Sequence, residues 1–239
     1  MTAERPAPIE WHRFADGQAL AAALAQAVAD DLRAALGARN VAILAVSGGN
    51  TPKAFLRALS AQALDWSQVS VTLVDERWVA ENHERSNAAM VRRQLLVGPA
   101  ASARFLPLYR ELPGPEAALD LLERDLAALG LPLDVVVLGM GSDGHTASFF
   151  PGGDRLEQAL DLAGPATVLP MRAPAAGEPR ITLTLPALLA ARHLYLHIEG
   201  ADKQALLARA ASAAAADLRY PVSAILRHAR VPVGVYWSA

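Results

Sequence analysis

The 239-residue sequence contains no cysteine, and its formal net charge is only −2. The absence of cysteine excludes disulfide bonds, thiolate catalysis and zinc sites built on cysteine ligands. Because the charges nearly balance, the chain has no global positive field, and we expect no binding to nucleic acid. A local site for a small anion is still compatible with this composition.

Long apolar runs are missing as well, which bears on membrane association. The uncharged run over residues 19–29 contains Gln26 and is too short to span a bilayer. The first residues lack the basic segment and apolar core that mark a secretory signal peptide. We therefore expect a cytoplasmic protein that does not associate with membranes.

Two common functional motifs are absent. No serine lies in a Gly-x-Ser-x-Gly elbow, so a serine hydrolase mechanism has no support. The Walker A ending Gly-Lys-Ser/Thr is also missing. Gly139, Gly141 and Gly144 do match the Gly-x-Gly-x-x-Gly fingerprint, but Pro151 leaves little room for the helix that packs behind a dinucleotide. We expect no nucleotide cofactor.

Short apolar runs alternate with helical patterns along the chain. In residues 18–36, leucine or valine recurs every four positions, and Gly37 is the predicted stop of this helix. Strands are predicted at residues 41–46, 69–74, 135–138, 179–186, 193–198 and 231–237. This alternation predicts one α/β domain over residues 1–239 with a mostly parallel central sheet.

Four polar or glycine-rich segments follow predicted strands, at residues 47–50, 75–77, 139–145 and 200–203. Ligands of open parallel sheets bind beyond the carboxyl ends of the strands, where such loops converge. We therefore expect these four segments to form one site.

The first and last of these segments contain groups suited to an anion. In Ser47, Gly48 and Gly49, backbone N–H groups ahead of a helix can approach an oxyanion, although the same residues also suit an ordinary tight turn. Lys203 and Arg180 are plausible phosphate ligands.

The other two segments contain groups suited to catalysis. His145 can act as a general base near neutral pH, and Asp143 lies two residues before it in the same glycine-rich loop. Asp75 and Arg77 have the simpler interpretation of solvated charges at a strand end. Their expected convergence with His145 makes them candidates for the site.

Six segments carry a family resemblance, and they occur in the order that the family has. They are Ser-Gly-Gly-Asn-Thr-Pro at 47–52, Val-Asp-Glu-Arg-Trp at 74–78, Asn-His-Glu-Arg-Ser-Asn at 82–87, Leu-Gly-Met-Gly-Ser-Asp-Gly-His-Thr-Ala-Ser-Phe-Phe-Pro-Gly at 138–152, Pro-Arg-Ile-Thr at 179–182 and Gly-Ala-Asp-Lys at 200–203. In these segments the chain resembles the 6-phosphogluconolactonases, within the larger glucosamine-6-phosphate deaminase-like group.

The resemblance implies a Rossmann-like three-layer α/β/α fold and hydrolysis of a small-molecule sugar-phosphate lactone, 6-phospho-D-glucono-1,5-lactone, without a cofactor or a metal ion. It implies that His145 activates water and that Arg77 holds the substrate or stabilises developing negative charge. Asp75 and Asp143 would shape the polar site, and either could orient His145 or bind a sugar hydroxyl. The implied ligands of the 6-phosphate are Ser47, Gly48, Gly49, Arg180 and Lys203.

Two other functions are considered. An amino-sugar-phosphate deaminase would carry an Asn-Glu pair after the histidine, where this chain has Phe149 and Phe150. A non-catalytic sugar-phosphate-binding regulator would carry a DNA-binding module, and no extra basic helical segment lies before Trp11 or after Trp237.

Three further expectations concern metals, assembly and mobility. His193 and His197 lie on one face of a predicted strand, but no third ligand is evident, so we expect no metal site. The sequence does not determine the oligomeric state, and a monomer is favoured. Residues 152–177 are a candidate mobile lid.

Overall fold

The computed structural model describes residues 7–212 and 219–239. Within these ranges the strands are β1 Ile9–Phe14, β2 Ala42–Val46, β3 Val69–Leu73, β4 Asp75–Arg77, β5 Arg104–Leu106, β6 Val135–Gly139, β7 Val168–Met171, β8 Arg180–Leu183, β9 His193–Glu199 and β10 Val233–Ser238. The helices are α1 Gly17–Arg39, α2 Lys53–Ser60, α3 Asn87–Gln94, α4 Leu119–Leu129, α5 Leu156–Leu160, α6 Leu185–Leu189, α7 Ala201–Ser212 and α8 Val222–His228.

Seven strands form the central sheet, in the order β1-β10-β9-β6-β2-β3-β5, and every strand pair in it is parallel. From the junction of β2 and β6, strands β2, β3 and β5 run outward in one direction and β6, β9 and β10 in the other, with β1 at the far edge. Their loops therefore part at the junction of β2 and β6, which is the topological switch point where such sheets bind ligands. The predicted α/β class with a mostly parallel sheet flanked by helices is confirmed.

The longest helix, α1, shows how the apolar periodicity builds the core. Leu20, Leu24, Val28 and Leu32 recur every four residues and are all 0% exposed. The predicted stop at Gly37 is wrong, since α1 continues to Arg39 and ends at Asn40, which takes the left-handed cap conformation. A glycine costs a helix only about 1 kcal/mol, which the packing of α1 exceeds.

A second, three-stranded antiparallel sheet, in the order β4-β8-β7, lies beside the first. Residues 75–77 were expected to form a loop, but they form β4, and Asp75, Glu76 and Arg77 pair with Thr182, Ile181 and Arg180. This strand is made by its partner β8 and not by its own composition, because its residues are all charged. The second sheet brings the start of β8 to the end of β4.

Smaller departures from the expected elements occur elsewhere. The edge strands β1 and β5 were not predicted, and α6 begins at Leu185, where the sequence predicted a continuing strand. The candidate lid contains α5 and β7. In the described ranges, no helix combines the length and apolar character needed to cross a membrane.

Candidate active site

A cavity of about 290 Å³ opens beyond the carboxyl ends of β2 and β6. Its walls come from the loops after β2 and β6, from β4 and β8, and from the start of α7. The expected convergence of the four segments is therefore observed. The predicted site residues that line the cavity are Ser47, Gly48, Gly49, Asp75, Arg77, His145, Arg180 and Lys203.

Asp143 does not line the cavity but contacts the histidine that does. The Nδ1 nitrogen of His145 lies 2.5 Å from Oδ1 of Asp143, which also accepts the backbone N–H of His145 at 3.1 Å. Partial burial favours the neutral carboxyl, but the hydrogen bonds and charge of His145 outweigh it and lower the pKa of Asp143. An ionised carboxylate has no proton to donate, so in the neutral form of the imidazole the hydrogen is on Nδ1 and the lone pair is on Nε2.

The loop that holds His145 is closed by short-range contacts. A Cβ on Gly141 would lie 2.2 Å from the imidazole of His145, so only glycine allows the ring to pack there. The N–H of Gly141 donates to the carbonyl of His145, and Thr146 Oγ1 donates to the carbonyl of Gly139. The ring of Phe150 lies on the imidazole, with centroids 4.4 Å apart. No helix begins in this loop before Leu156, in contrast to a dinucleotide-binding unit.

Asp75 is held separately from His145. Its Oδ2 atom accepts the hydroxyl of Ser148 at 2.5 Å, and its backbone carbonyl accepts Nδ2 of Asn87 at 3.0 Å. The side chain is buried, being 7% exposed. Of the two carboxylates that could orient His145, Asp143 is therefore the one that contacts it.

Two arginines face each other across β4 and β8. Arg77 and Arg180 are register partners, and the burial of Arg180 and the charge of Arg77 lower the pKa of Arg180, against the opposing effect of Asp75. Arg180 also lies over the ring of Phe150 at 5.4 Å. The Nε nitrogens of both arginines are buried and make no hydrogen bond within the described residues. Like charges directly opposite each other are unfavourable, so this pair is suited to bind an anion.

The loop after β2 is fixed by contacts on both sides. Both donors of Ser47, the backbone N–H and the hydroxyl, go to the carbonyl of Val137, and the hydroxyl accepts the N–H of Gly139. A direct phosphate contact from Ser47 would cost one of these bonds. A Cβ on Gly48 would lie 1.8 Å from Oδ1 of Asn87, so glycine is needed where this amide packs on the loop.

Three residues near the cavity were not among the predicted site residues. Asn87 and His197 line it, each 2% exposed, and Glu76, 0% exposed, lies behind it. Burial, together with the charge of Lys203, lowers the pKa of His197 to about 4, so its imidazole is neutral. Asn87 and His197 lie far in sequence from the glycine loop, so their neighbours in the sequence do not indicate a place in the site. Glu76 could have been found, because it lies between the predicted site residues Asp75 and Arg77.

The described residues contain no group of three or more His, Cys, Asp or Glu side chains that could hold a metal ion. His193 lies next to Asp31, with Nδ1 and Oδ2 3.3 Å apart, whereas His197 lies next to Glu199. The two histidines therefore have separate partners.

Comparisons with known proteins agree on one family. The family model for glucosamine-6-phosphate isomerases and 6-phosphogluconolactonases matches residues 15–235. A 6-phosphogluconolactonase of Rhizobium meliloti is 53% identical over 95% of this chain and 97% of its own length. One of Mesorhizobium japonicum is 49% identical over 97% of this chain and 96% of its own. The crystal structure of a 6-phosphogluconolactonase from Shewanella baltica superposes with a TM-score of 0.94 at 38% identity, covering 98% and 100% of the two chains.

Proposed function

The chain belongs to the family of glucosamine-6-phosphate isomerases and 6-phosphogluconolactonases, and from this premise we propose that its cavity hydrolyses a sugar-phosphate lactone with His145 as the general base. The protein is a hydrolase that converts 6-phospho-D-glucono-1,5-lactone into 6-phospho-D-gluconate, in the oxidative branch of the pentose phosphate pathway.

The pairing of His145 with Asp143 is the observation that carries the proposed mechanism. With Nδ1 donating to the carboxylate, Nε2 is available to take a proton from a water molecule as that water attacks C1 of the lactone. Asp143 orients the ring and stabilises the imidazolium that forms. The ring of Phe150 holds the other side of the imidazole in place.

The lactone carbonyl oxygen gains negative charge as water adds, and this charge needs donors that are already in place. Arg77 is our candidate for this role, because it lies in the same cavity and its Nε is unused within the described chain. Asp75, held by Ser148, would accept hydrogen bonds from sugar hydroxyls. The tetrahedral intermediate then collapses as the bond between C1 and the ring oxygen breaks. The proton held by His145 passes to that oxygen to give the alcohol, and the carboxylic acid formed at C1 loses its proton to solvent.

For the 6-phosphate we propose Arg180, Lys203 and the backbone N–H groups of Gly48 and Gly49, with Ser47 aligning the strand ends from which this loop departs. These groups come from three different elements and border one cavity. Binding the remote phosphate would fix the position of the lactone ring, so that part of the binding energy lowers the barrier at C1.

Deamination of an amino-sugar phosphate is the alternative within the family. The structure places aromatic side chains at the two positions where the resemblance implies the Asn-Glu pair of a deaminase. Phe149 is 0% exposed, and Phe150 packs directly on His145. A carboxylate at either position is therefore lacking, which favours lactone hydrolysis.

The test is hydrolysis of freshly generated 6-phosphogluconolactone, above its spontaneous rate, by the wild type and by His145→Ala. We expect kcat to fall by about 10²-fold or more in the variant, with binding of 6-phosphogluconate retained, because general-base catalysis contributes about 10²- to 10⁴-fold. His228→Ala, an exposed histidine at the end of α8, is the control and should keep wild-type kinetics. An equally active His145→Ala enzyme would exclude His145 as the base.

We propose that the chain forms one domain, that it acts in the cytoplasm and that it is a monomer. Size-exclusion chromatography with light scattering would test the last of these.

A further inference from the structure

Glu76 is a buried carboxylate that the proposed mechanism does not use. It lies between Asp75 and Arg77 on β4, and because side chains alternate along a strand, it points away from the face that these two share. It is 0% exposed and does not line the cavity. Burial raises the pKa of Glu76 to about 7, although the backbone hydrogen bonds that it accepts act in the opposite direction.

Three of the four hydrogen bonds of this carboxylate connect β4 to the start of α3. Its Oε1 atom accepts the backbone N–H of Arg77 at 2.7 Å and that of Asn87 at 2.8 Å. Its Oε2 atom accepts the N–H of Ala88 at 2.7 Å and the hydroxyl of Ser86 at 3.3 Å. The two oxygens thus satisfy three backbone donors, two of which belong to the first turn of α3.

Asn87, one of the two α3 residues whose backbone N–H binds Glu76, contacts two walls of the cavity. Its Nδ2 donates to the carbonyl of Asp75, and its Oδ1 packs on Gly48. A displacement of the start of α3 would therefore be transmitted to β4 and to the loop after β2. Arg77, whose N–H is bound by the same oxygen as that of Asn87, would move with it.

We infer that Glu76 is a positioning residue for the lactone hydrolysis proposed above, acting through Arg77, Asp75 and Asn87 without touching the substrate. The inference rests on that proposed function. A carboxylate is needed here because both of its oxygens receive hydrogen bonds. The glutamine of Glu76→Gln would direct its NH₂ group at one pair of donors and leave a backbone N–H without an acceptor.

The test compares Glu76→Gln with Asp134→Asn at pH 7.5, above the pKa of the buried Glu76 carboxyl. Asp134 is also a buried carboxylate that accepts a backbone N–H, that of Ile43, but it lies at the opposite end of β6. Binding of 6-phosphogluconate by calorimetry counts the intact sites, and kcat is expressed per binding site. We expect kcat per site to fall about tenfold in Glu76→Gln, with the Kd for 6-phosphogluconate changed by less than about threefold. Asp134→Asn should keep wild-type kcat per site.

Two outcomes would overturn the inference. If Glu76→Gln lost stability but kept wild-type kcat per site, Glu76 would only cap a helix. If the wild type itself did not accelerate hydrolysis, the proposed function would fail together with this inference. Should Glu76→Gln not fold, Glu76→Asp carries the same test, because its shorter carboxylate cannot reach all the donors, and a wild-type kcat per site in that variant would again contradict the inference.

Discussion

Asp134, at the amino-terminal ends of β2, β6 and β9, is contacted by two arginines, whereas at the carboxyl-terminal ends Arg77 and Arg180 lie opposite each other. Asp134 binds Arg39 and Arg192, both partly exposed, and also accepts the N–H of Ile43. At the other end, the Nε nitrogens of Arg77 and Arg180 have no partner in the part of the chain that the structure describes.

The difference shows what each end contributes. At the amino end the one buried charge is neutralised and hydrogen-bonded, so it costs the fold little. At the carboxyl end Arg180 is 4% exposed, and its nearest carboxylate oxygen, Oε2 of Glu178, is 3.9 Å from Nη2. Burying one guanidinium group opposite another without a close carboxylate is unfavourable, and an anionic substrate can offset that cost. We therefore expect loss of the buried charge at the amino end to lower stability, and loss of a charged group at the carboxyl end to change mainly catalysis or anion binding.

Asp143→Asn should show the largest effect at the carboxyl end. The amide can donate to Nδ1 and stabilise the wrong tautomer, so we expect kcat to fall about 10³-fold with KM nearly unchanged. The matched control is Asp161→Asn, because Asp161 also accepts the N–H of the residue two positions later but is exposed and far from the cavity. Steady-state kinetics measure both variants. A loss of less than tenfold in Asp143→Asn would mean that the loop itself orients His145.

That pair was predictable from the sequence because it is local. Asp143 and His145 lie in one glycine-rich loop after an apolar strand, and their contact spans two residues. The strands β2, β6 and β9 were likewise predictable, since a strand buried on both faces reads as a continuous apolar run. For this loop and these strands, the local sequence favours the same conformation that the folded structure has.

Other parts of the site depend on contacts distant in sequence. The charged β4 becomes a strand only because β8 pairs with it, more than 100 positions later. Asn87 lies in one of the six family segments, but its contact with Gly48 cannot be derived from its neighbours in the sequence. The sequence placed His197 on one face of a strand, but it did not predict that this residue lines the cavity. Periodicity therefore predicts the elements, whereas pairing between distant elements completes the site.

The pH dependence of stability tests the carboxyl end in a second way. Burial lowers the pKa of His197 to about 4, against 6.5 for the unperturbed side chain. Between these values the unfolded chain binds more protons at this residue, so the contribution of His197 to stability falls as the pH drops from about 6.5 to 4, by roughly 3 kcal/mol. Urea titrations of the wild type and His197→Asn should therefore give curves that converge toward acid pH. Parallel curves would show that His197 is not the group responsible.

At the amino end, Asp134→Asn should lower the free energy of unfolding by about 2 kcal/mol, because two arginines lose their buried partner while the amide still accepts the N–H of Ile43. The kinetic constants should be unchanged. Denaturant unfolding combined with the lactone assay measures both quantities. If kcat per binding site fell as well, the two ends of the sheet would be coupled, and the comparison between them would not hold.

Arg180→Met should have the smallest effect, and it tests the comparison most directly. Removing one of two facing guanidinium groups relieves their repulsion, so the free enzyme should unfold at an equal or higher temperature than the wild type. The same change removes an anion ligand, and we expect the Kd for 6-phosphogluconate to rise about tenfold. Arg172→Met, outside the cavity where Arg172 pairs with Glu116, should leave this Kd unchanged. Thermal unfolding with and without 6-phosphogluconate gives both results. If Arg180→Met destabilised the free enzyme as Asp134→Asn does, Arg180 would serve the fold, and the anion site would have to be assigned to Lys203 and the loop after β2.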